Sequence, residues 1–261
     1  METQPGLVKT AALLAPFARL GTGLLDLVYP PVCLACDAPI ASADGLCVAC
    51  FRKLRAITAP LCPVLGLPFE ASLGPEARSA EAIADPPPFG RARAAVIYGE
   101  VARALVGRLK YGDRPEIARF CARLMAAAGH ELWGPDAVLV PVPLHPTRLF
   151  ARRYNQSLEL ARALARRTGL ALEPGLLRRR KATRQQVGLS GDARRRNVAG
   201  AFAAPSDLAI RLRGRRVILV DDVFTTGSTV KAATRALLSS GAAAVDIVSF
   251  ARVVPGQVEI V

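Results

Sequence analysis

The sequence predicts an α/β protein, an open parallel sheet preceded by a small four-cysteine module. Short continuous apolar runs of strand length alternate with segments of helical spacing through the C-terminal two-thirds of the chain. These runs lack the in-out alternation of a half-exposed strand, so both faces must be covered, as in a parallel sheet with helices on either side. Ahead of them, five of the six cysteines fall between residues 31 and 66. A chain of 261 residues, 51% hydrophobic, can bury a sizeable core, which excludes disorder, collagen and coiled coil. Six cysteines are too few for a disulfide-built scaffold of this length.

Residues 1–30 read as one amphipathic helix stopped by Pro30-Pro31, because proline lacks an amide donor and biases its predecessor away from helix. Its most apolar run, Ala11 to Tyr29, is interrupted by Arg19, Gly21, Gly23 and Asp26. A membrane span needs about 20 nearly uncharged residues, so no transmembrane segment is expected. With no small-residue cleavage site, the chain is expected to be cytoplasmic. The helix then packs on its own body or makes peripheral contact with the inner face of the membrane. Residues 31–66 form the cysteine module, and residues 67–93, with Pro86-Pro87-Pro88, read as linker and irregular packing. No internal repeat is evident.

Residues 94–261 form the α/β domain. Ala94 to Tyr98 is a strand and Val101 to Leu109 a helix. Ala137 to Val142 is a buried strand, followed by a helix over Asn155 to Arg167 with Asn155 as N-cap and Gly169 beyond its end. Val217 to Val220 is a second buried strand, Thr229 to Ser239 a helix closed by Gly241, and Val245 to Phe250 a further strand. Strand-helix-strand order implies parallel pairing through right-handed crossovers.

Lys and Arg number 35 against 21 Asp and Glu, a formal charge of +14, which points to an anionic partner. The excess is local. Residues 148 to 216 hold 18 Arg/Lys against four acids, while the rest of the chain balances at 17 against 17. Concentration argues for a site, although runs such as Arg178-Arg179-Arg180-Lys181 and Arg194-Arg195-Arg196 can also be solvated loop charge.

Cys33-x-x-Cys36 and Cys47-x-x-Cys50 each present two thiolates from a tight turn, and together they suit one tetrahedral zinc ion. A closed four-sulfur site leaves no open position, so the zinc is structural and holds a segment too short for its own core. The competing readings are buried thiols or disulfides, and a cytoplasmic setting disfavours the latter. Cys62 would open a third pair if Leu65 were cysteine; a second zinc site is therefore expected to be absent or broken. Cys121 reads as core.

The strongest motif is Val217-Ile-Leu-Val-Asp-Asp-Val-Phe-Thr-Thr-Gly-Ser-Thr229. A buried strand delivers Asp221 and Asp222, and a short loop opens the next helix. Neighbouring strand residues face opposite sides, so both acids can serve one ligand only where the backbone is leaving the sheet. That is the carboxyl end, where open α/β sheets bind ligands. Gly227 allows close approach of an anion, and the amides of Thr226 to Thr229 face it at the helix start. Thr225, Thr226, Ser228 and Thr229 add hydroxyls. Carboxylates repel phosphate, so they must address sugar hydroxyls or magnesium on the same ligand, which describes a ribose 5-phosphate group.

This stretch resembles the phosphoribosyl-pyrophosphate (PRPP) binding motif of type I phosphoribosyltransferases. Together with Leu109-Lys-Tyr-Gly-Asp113, Val140-Pro-Val-Pro-Leu-His-Pro146, Arg152 to Ser157, Asn197-Val-x-Gly-Ala-Phe202 and the cysteine module, it is similar to the ComF family of competence proteins, including its GntX-like members. Arg153 stands where the family pattern has glycine, and Leu65 where it has a second cysteine. The resemblance implies a type I phosphoribosyltransferase-like domain behind a zinc finger. It implies that Asp221 and Asp222 hold ribose hydroxyls and a ligand-dependent magnesium, with Thr225, Thr226, Gly227, Ser228 and Thr229 around the 5-phosphate. Leu144, His145 and Arg148 then belong to the pyrophosphate loop. Arg178 to Arg196, containing Thr183, Gln185, Gln186 and Leu189, would correspond to the flexible loop that closes over pyrophosphate. Guanidinium groups suit that task because they bind phosphate bidentately.

The same resemblance implies a role in natural transformation, with single-stranded DNA handled by Arg152, Arg153, Arg178, Arg179, Arg180, Lys181, Arg184, Arg194, Arg195 and Arg196, and with competence-machinery proteins as partners. Phosphodiester contacts need such a basic track, but stacking residues there are limited to Phe150, Tyr154 and Phe202. The alternative is an active phosphoribosyltransferase of nucleotide or cofactor metabolism without a DNA role. Catalytic residues and any acceptor are not legible; His145 is either a ligand contact or a histidine held by turn hydrogen bonds, and His130 reads as surface.

Overall fold

A computed structural model describes residues 30–74, 76–111, 114–152, 154–181 and 200–256. The expected N-terminal helix lies outside them. The domain centres on a five-stranded parallel sheet, β1 (Ala92–Ile97), β2 (Ala137–Pro141), β3 (Ala171–Leu172), β6 (Arg216–Phe224) and β7 (Ala244–Arg252), in the order β1-β7-β6-β2-β3. β6 is buried from Val217 to Asp222 and β2 along its whole length, which is why their sequences are continuously apolar. Alternate residues of each strand feed two cores, Ile218 and Val220 on one face, Val217 and Leu219 on the other.

The first face is covered by α3 (Glu100–Tyr111), α4 (Pro115–Ala128) and α6 (Gln156–Thr168). Pro115 opens α4, where a missing amide donor costs nothing. Asn155 caps α6 by accepting from the Ser157 amide at 3.0 Å, and Gly169 ends it at φ +72°. The second face carries α7 (Ser228–Ser239) and a small antiparallel hairpin, β4 (Arg178–Arg179) with β5 (Phe202–Ala203). A short helix, α5 (Pro146–Arg152), lies between β2 and α6. Among the described residues, no helix is long and apolar enough to cross a membrane.

Two differences from the sequence reading concern the N-terminal part. First, part of the stretch read as linker, residues 67–69 and 79–84, belongs to a second copy of the cysteine module. In the first copy, Cys33 N donates to Ala38 O at 2.8 Å, Val32 bridges Pro39, and Ile40 N donates to Pro31 O at 2.9 Å. In the second, Cys62 N donates to Leu67 O at 2.8 Å, Leu61 bridges Pro68, and Phe69 N donates to Pro60 O at 2.9 Å. The turn residue with positive φ is Asp37 (60°) in one and Gly66 (63°) in the other. Each copy closes on a short helix, α1 (Val48–Lys53) capped by Cys47 and α2 (Ala80–Ala84) capped by Ser79. Cys62, Leu65, Ser79 and Ala82 thus hold the places of Cys33, Cys36, Cys47 and Cys50. The repeat escapes the sequence because three of its four markers have changed.

Second, the two copies straddle the edge of the sheet. Cys33, Leu34, Ala35 and Cys50 join the core beneath α3 and α4, while Cys62, Leu65, Leu67 and Ala82 join the core beneath α7. The segment between them runs along β1: Ile57 N donates to Ala95 O at 3.0 Å, and Ile97 N to Arg55 O at 2.8 Å.

Candidate functional site

The acid pair lies where β6 has lost one neighbour and kept the other. Pairing with β2 ends at Pro141–Val220, whereas pairing with β7 continues to Phe224–Arg252. The strand therefore runs four residues further than the sequence suggests, and the backbone leaves the sheet on the β2 side only. Asp221 and Asp222 are both buried, 8% and 6% exposed. Asp221 Oδ1 accepts from Ser157 Oγ at 3.0 Å, in the first turn of α6, and from the Asp222 amide at 2.9 Å. Asp222 Oδ1 accepts from the Val223 amide at 3.0 Å, and its Oδ2 lies 2.8 Å from Lys110 Nζ, near the end of α3. Burial first, and the neighbouring Asp222 charge second, push the Asp221 carboxyl up to about 8. Burial opposes the charge on Lys110, yet the Asp222 carboxylate outweighs it and raises the ammonium pKa. Lys110 and Asp222 thus form a largely buried ion pair.

Beyond the acids, Gly227 sits at φ +72° immediately before α7. A Cβ there would lie 2.8 Å from Phe224 Cζ, so only glycine fits. A helix start is the place where an anion can meet main-chain N–H groups. Thr226 Oγ1 and Ser228 Oγ share a hydrogen bond at 2.9 Å, and Thr225 and Thr229 are partly exposed beside them.

The loop after β2 is tied to this region by Asn155 Nδ2, which donates to Val142 O at 3.0 Å. Leu144, His145 and Arg148 are half-buried there, with α5 already begun at Pro146. His145 is held by its own turn: its Nδ1 lies 2.8 Å from Thr147 Oγ1, and its carbonyl accepts from the Arg148 and Leu149 amides at 2.9 Å.

The arginine-rich stretch divides. Arg178 and Arg179 belong to the β4–β5 hairpin and not to a loop, because Arg179 is paired with Phe202 and buried, its guanidinium 5.3 Å from that ring. Burial first, and the nearby Arg148 charge second, hold the Arg179 pKa below the ordinary arginine value, while Asp221 acts the other way. Arg180 and Lys181 are exposed at the end of the hairpin, and Arg152 is half-buried at the end of α5. Arg153, Thr183, Arg184, Gln185, Gln186, Leu189, Arg194, Arg195 and Arg196 lie outside the described residues.

Sequence reasoning missed Lys110 and Ser157 as members of the site. The signal for Lys110 was the Leu109-Lys-Tyr-Gly-Asp113 motif, to which no role had been attached.

The sulfur atoms of Cys33, Cys36, Cys47 and Cys50 all lie within 4.8 Å of one another. Burial first, and the three neighbouring thiols second, push Cys50 up, so four such groups cannot share this space as thiolates without a cation. The donor set fits tetrahedral zinc. In the second copy the centre holds Leu65 and Ala82, 2% and 4% exposed, around Cys62. Cys62 Sγ accepts from the Leu65 amide, the Ser79 amide and Ser79 Oγ, each at 3.4 Å.

Comparison with known proteins places these two regions in families. Residues 24–83 match the double zinc ribbon domain and residues 110–259 the phosphoribosyl transferase domain. The DNA utilization protein YhgH of Salmonella typhimurium is 36% identical over 85% of this chain and 96% of its own length. Competence protein F of Haemophilus influenzae is 31% identical over 84% of this chain and 96% of its own. Competence protein ComFC of Bacillus subtilis is 26% identical over 83% and 92%. A transferase-domain match over residues 110–259, and relatives above 30% identity along nearly their whole length, show that this chain belongs to the ComF family of phosphoribosyltransferase-domain proteins.

Proposed function

We propose that the chain binds the ribose 5-phosphate group of PRPP, or a related sugar phosphate, and acts in the uptake or use of incoming DNA. The observation that carries the first half is the union, near one strand end, of two buried acids with the glycine turn that begins α7. Asp221 and Asp222 take the ribose hydroxyls, and residues Thr225 to Thr229 take the 5-phosphate. Leu144, His145 and Arg148 on one side, with Arg179 of the hairpin on the other, provide the pyrophosphate end with two guanidinium groups. Magnesium, when bound with the ligand, would be held by the Asp221 and Asp222 carboxylates and would neutralise pyrophosphate charge; their hard oxygens suit it. Lys110 keeps Asp222 oriented and compensated while the pocket is empty.

The second half rests on the basic stretch and on the names of the relatives. The exposed Arg178, Arg180 and Lys181 offer positive charge to the phosphates of single-stranded DNA.

Calorimetry with PRPP, with and without magnesium, tests the reading. Asp221→Asn combined with Asp222→Asn should weaken PRPP about 100-fold, because each carboxylate supplies a charge-assisted acceptor to the ligand. The same variant should bind a single-stranded oligonucleotide as the wild type does, with affinity falling steeply as salt rises. Undiminished PRPP affinity in the double variant would overturn the ligand assignment; salt-independent oligonucleotide binding would overturn the track.

A further inference from the structure

Beneath the phosphate loop lies a charge that the function above does not use. Arg252, the last residue of β7, is 2% exposed. Its guanidinium lies 4.1 Å from the centre of the Phe224 ring, Nη1 donates to Leu65 O at 2.8 Å, and Nη2 is 3.8 Å from Glu81 Oε1. Nε is buried with no hydrogen-bond partner among the described residues. Taking a guanidinium out of water is costly unless its contacts offset it, and an apolar side chain of similar volume would avoid that penalty. The arginine therefore does something packing alone does not require.

What it grips is Phe224, the residue on which the loop turns. The Phe224 ring fills the space a side chain at position 227 would need, and it is braced on another side by Phe89, edge-on at 6.2 Å. The other flank of Gly227 is Lys231, in the first turn of α7. Its Cε lies 3.6 Å from the position of a Cβ on Gly227, and its ammonium is 2.7 Å from Asp85 Oδ2. Leu65, Glu81 and Asp85 all come from the second copy of the cysteine module or the residue that ends it. Both walls of the glycine turn are thus fastened to that copy, one through Arg252 and one through Lys231.

We propose that the metal-free second ribbon is the seat of the phosphate loop, and that Arg252 is a positioning residue which fixes Gly227 and the amides after it by clamping the Phe224 ring. This rests on the reading of residues 225–229 as the cradle of the 5-phosphate. A clamp of this kind acts on one end of the ligand: it sets the 5-phosphate amides and leaves the pyrophosphate end, built by α5 and the hairpin, untouched.

The test uses the full zinc-bound chain with Arg252→Met, Arg252→Lys and Phe224→Leu. Calorimetry measures ribose 5-phosphate and magnesium pyrophosphate separately, and hydrogen exchange follows the amides of residues 226–229. Loss of the clamp should weaken ribose 5-phosphate about tenfold, the equivalent of one desolvated cation–π contact. Magnesium pyrophosphate should stay within about twofold, the loop amides should exchange faster, and Arg252→Lys should restore part of the loss. Equal weakening of both ligands, or unchanged ribose 5-phosphate binding in Arg252→Met and Phe224→Leu, would overturn the proposal. If the wild type binds no ribose 5-phosphate, the cradle reading fails; faster exchange of the loop amides in the variants would still support the seat, and unchanged exchange would end it.

Discussion

The two ribbons share a backbone and differ at the centre, and the difference separates what the fold needs from what the metal does. The same turn hydrogen bonds, the same bridge and the same capped helix recur in both. The first ribbon closes on four sulfurs, two of them exposed or half-exposed, at the rim of the core beneath α3 and α4. The second closes on Cys62, Leu65 and Ala82 within the core beneath α7. A centre whose residues reach the surface cannot be filled with hydrocarbon and suits zinc, whereas a centre buried throughout can hold apolar side chains in place of ligands.

Removing zinc should give the largest contrast. With a strong chelator the first ribbon should lose its fold, a change of the order of 10 kcal/mol at the site, while the second stays protected. Limited proteolysis should then cut between residues 33 and 53 and spare residues 61–85; equal sensitivity of both would break the comparison.

Restoring the lost ligands sharpens it. Leu65→Cys, Ser79→Cys and Ala82→Cys together should raise bound zinc from about one to about two ions per chain, because the backbone that would present them is already in place. Metal analysis of the purified triple variant measures this, and a content that stays at one would mean the second backbone cannot close on an ion.

The smallest effect concerns the two turn residues. Gly66→Ala should cost about 2 kcal/mol, through positive φ and a Cβ only 2.4 Å from Ala92 O. Asp37 already occupies the equivalent conformation at the surface, where it pairs with Arg108 and Arg114 at 53% side-chain exposure, so Asp37→Gly should change stability little. Denaturant midpoints decide between them.

The parts of the molecule that were legible in the sequence are those whose cause is local. The buried strands announced themselves as apolar runs, α6 through Asn155 and Gly169, and the acid pair and glycine loop through their order on the chain. Lys110 and Ser157 were not readable as neighbours of Asp222 and Asp221, because a crossover and a helix start bring them together from distant positions. The extra length of β6 depends on β7 continuing beside it, which no feature of residues 221–224 reveals. The second ribbon was hidden for another reason: cysteine spacing reports the metal, and where the metal has gone the turn hydrogen bonds that remain are made by backbone atoms common to any residue.

The strip of chain joining the two ribbons has a consequence for the outer rim of the sheet. Because residues 55–57 take up the hydrogen-bonding groups of β1, a fragment beginning at β1 would present a row of bare donors and acceptors, an invitation to zip onto a second molecule. The ribbons and the transferase half are therefore not separable cassettes, and any dissection of the chain has to carry that strip along.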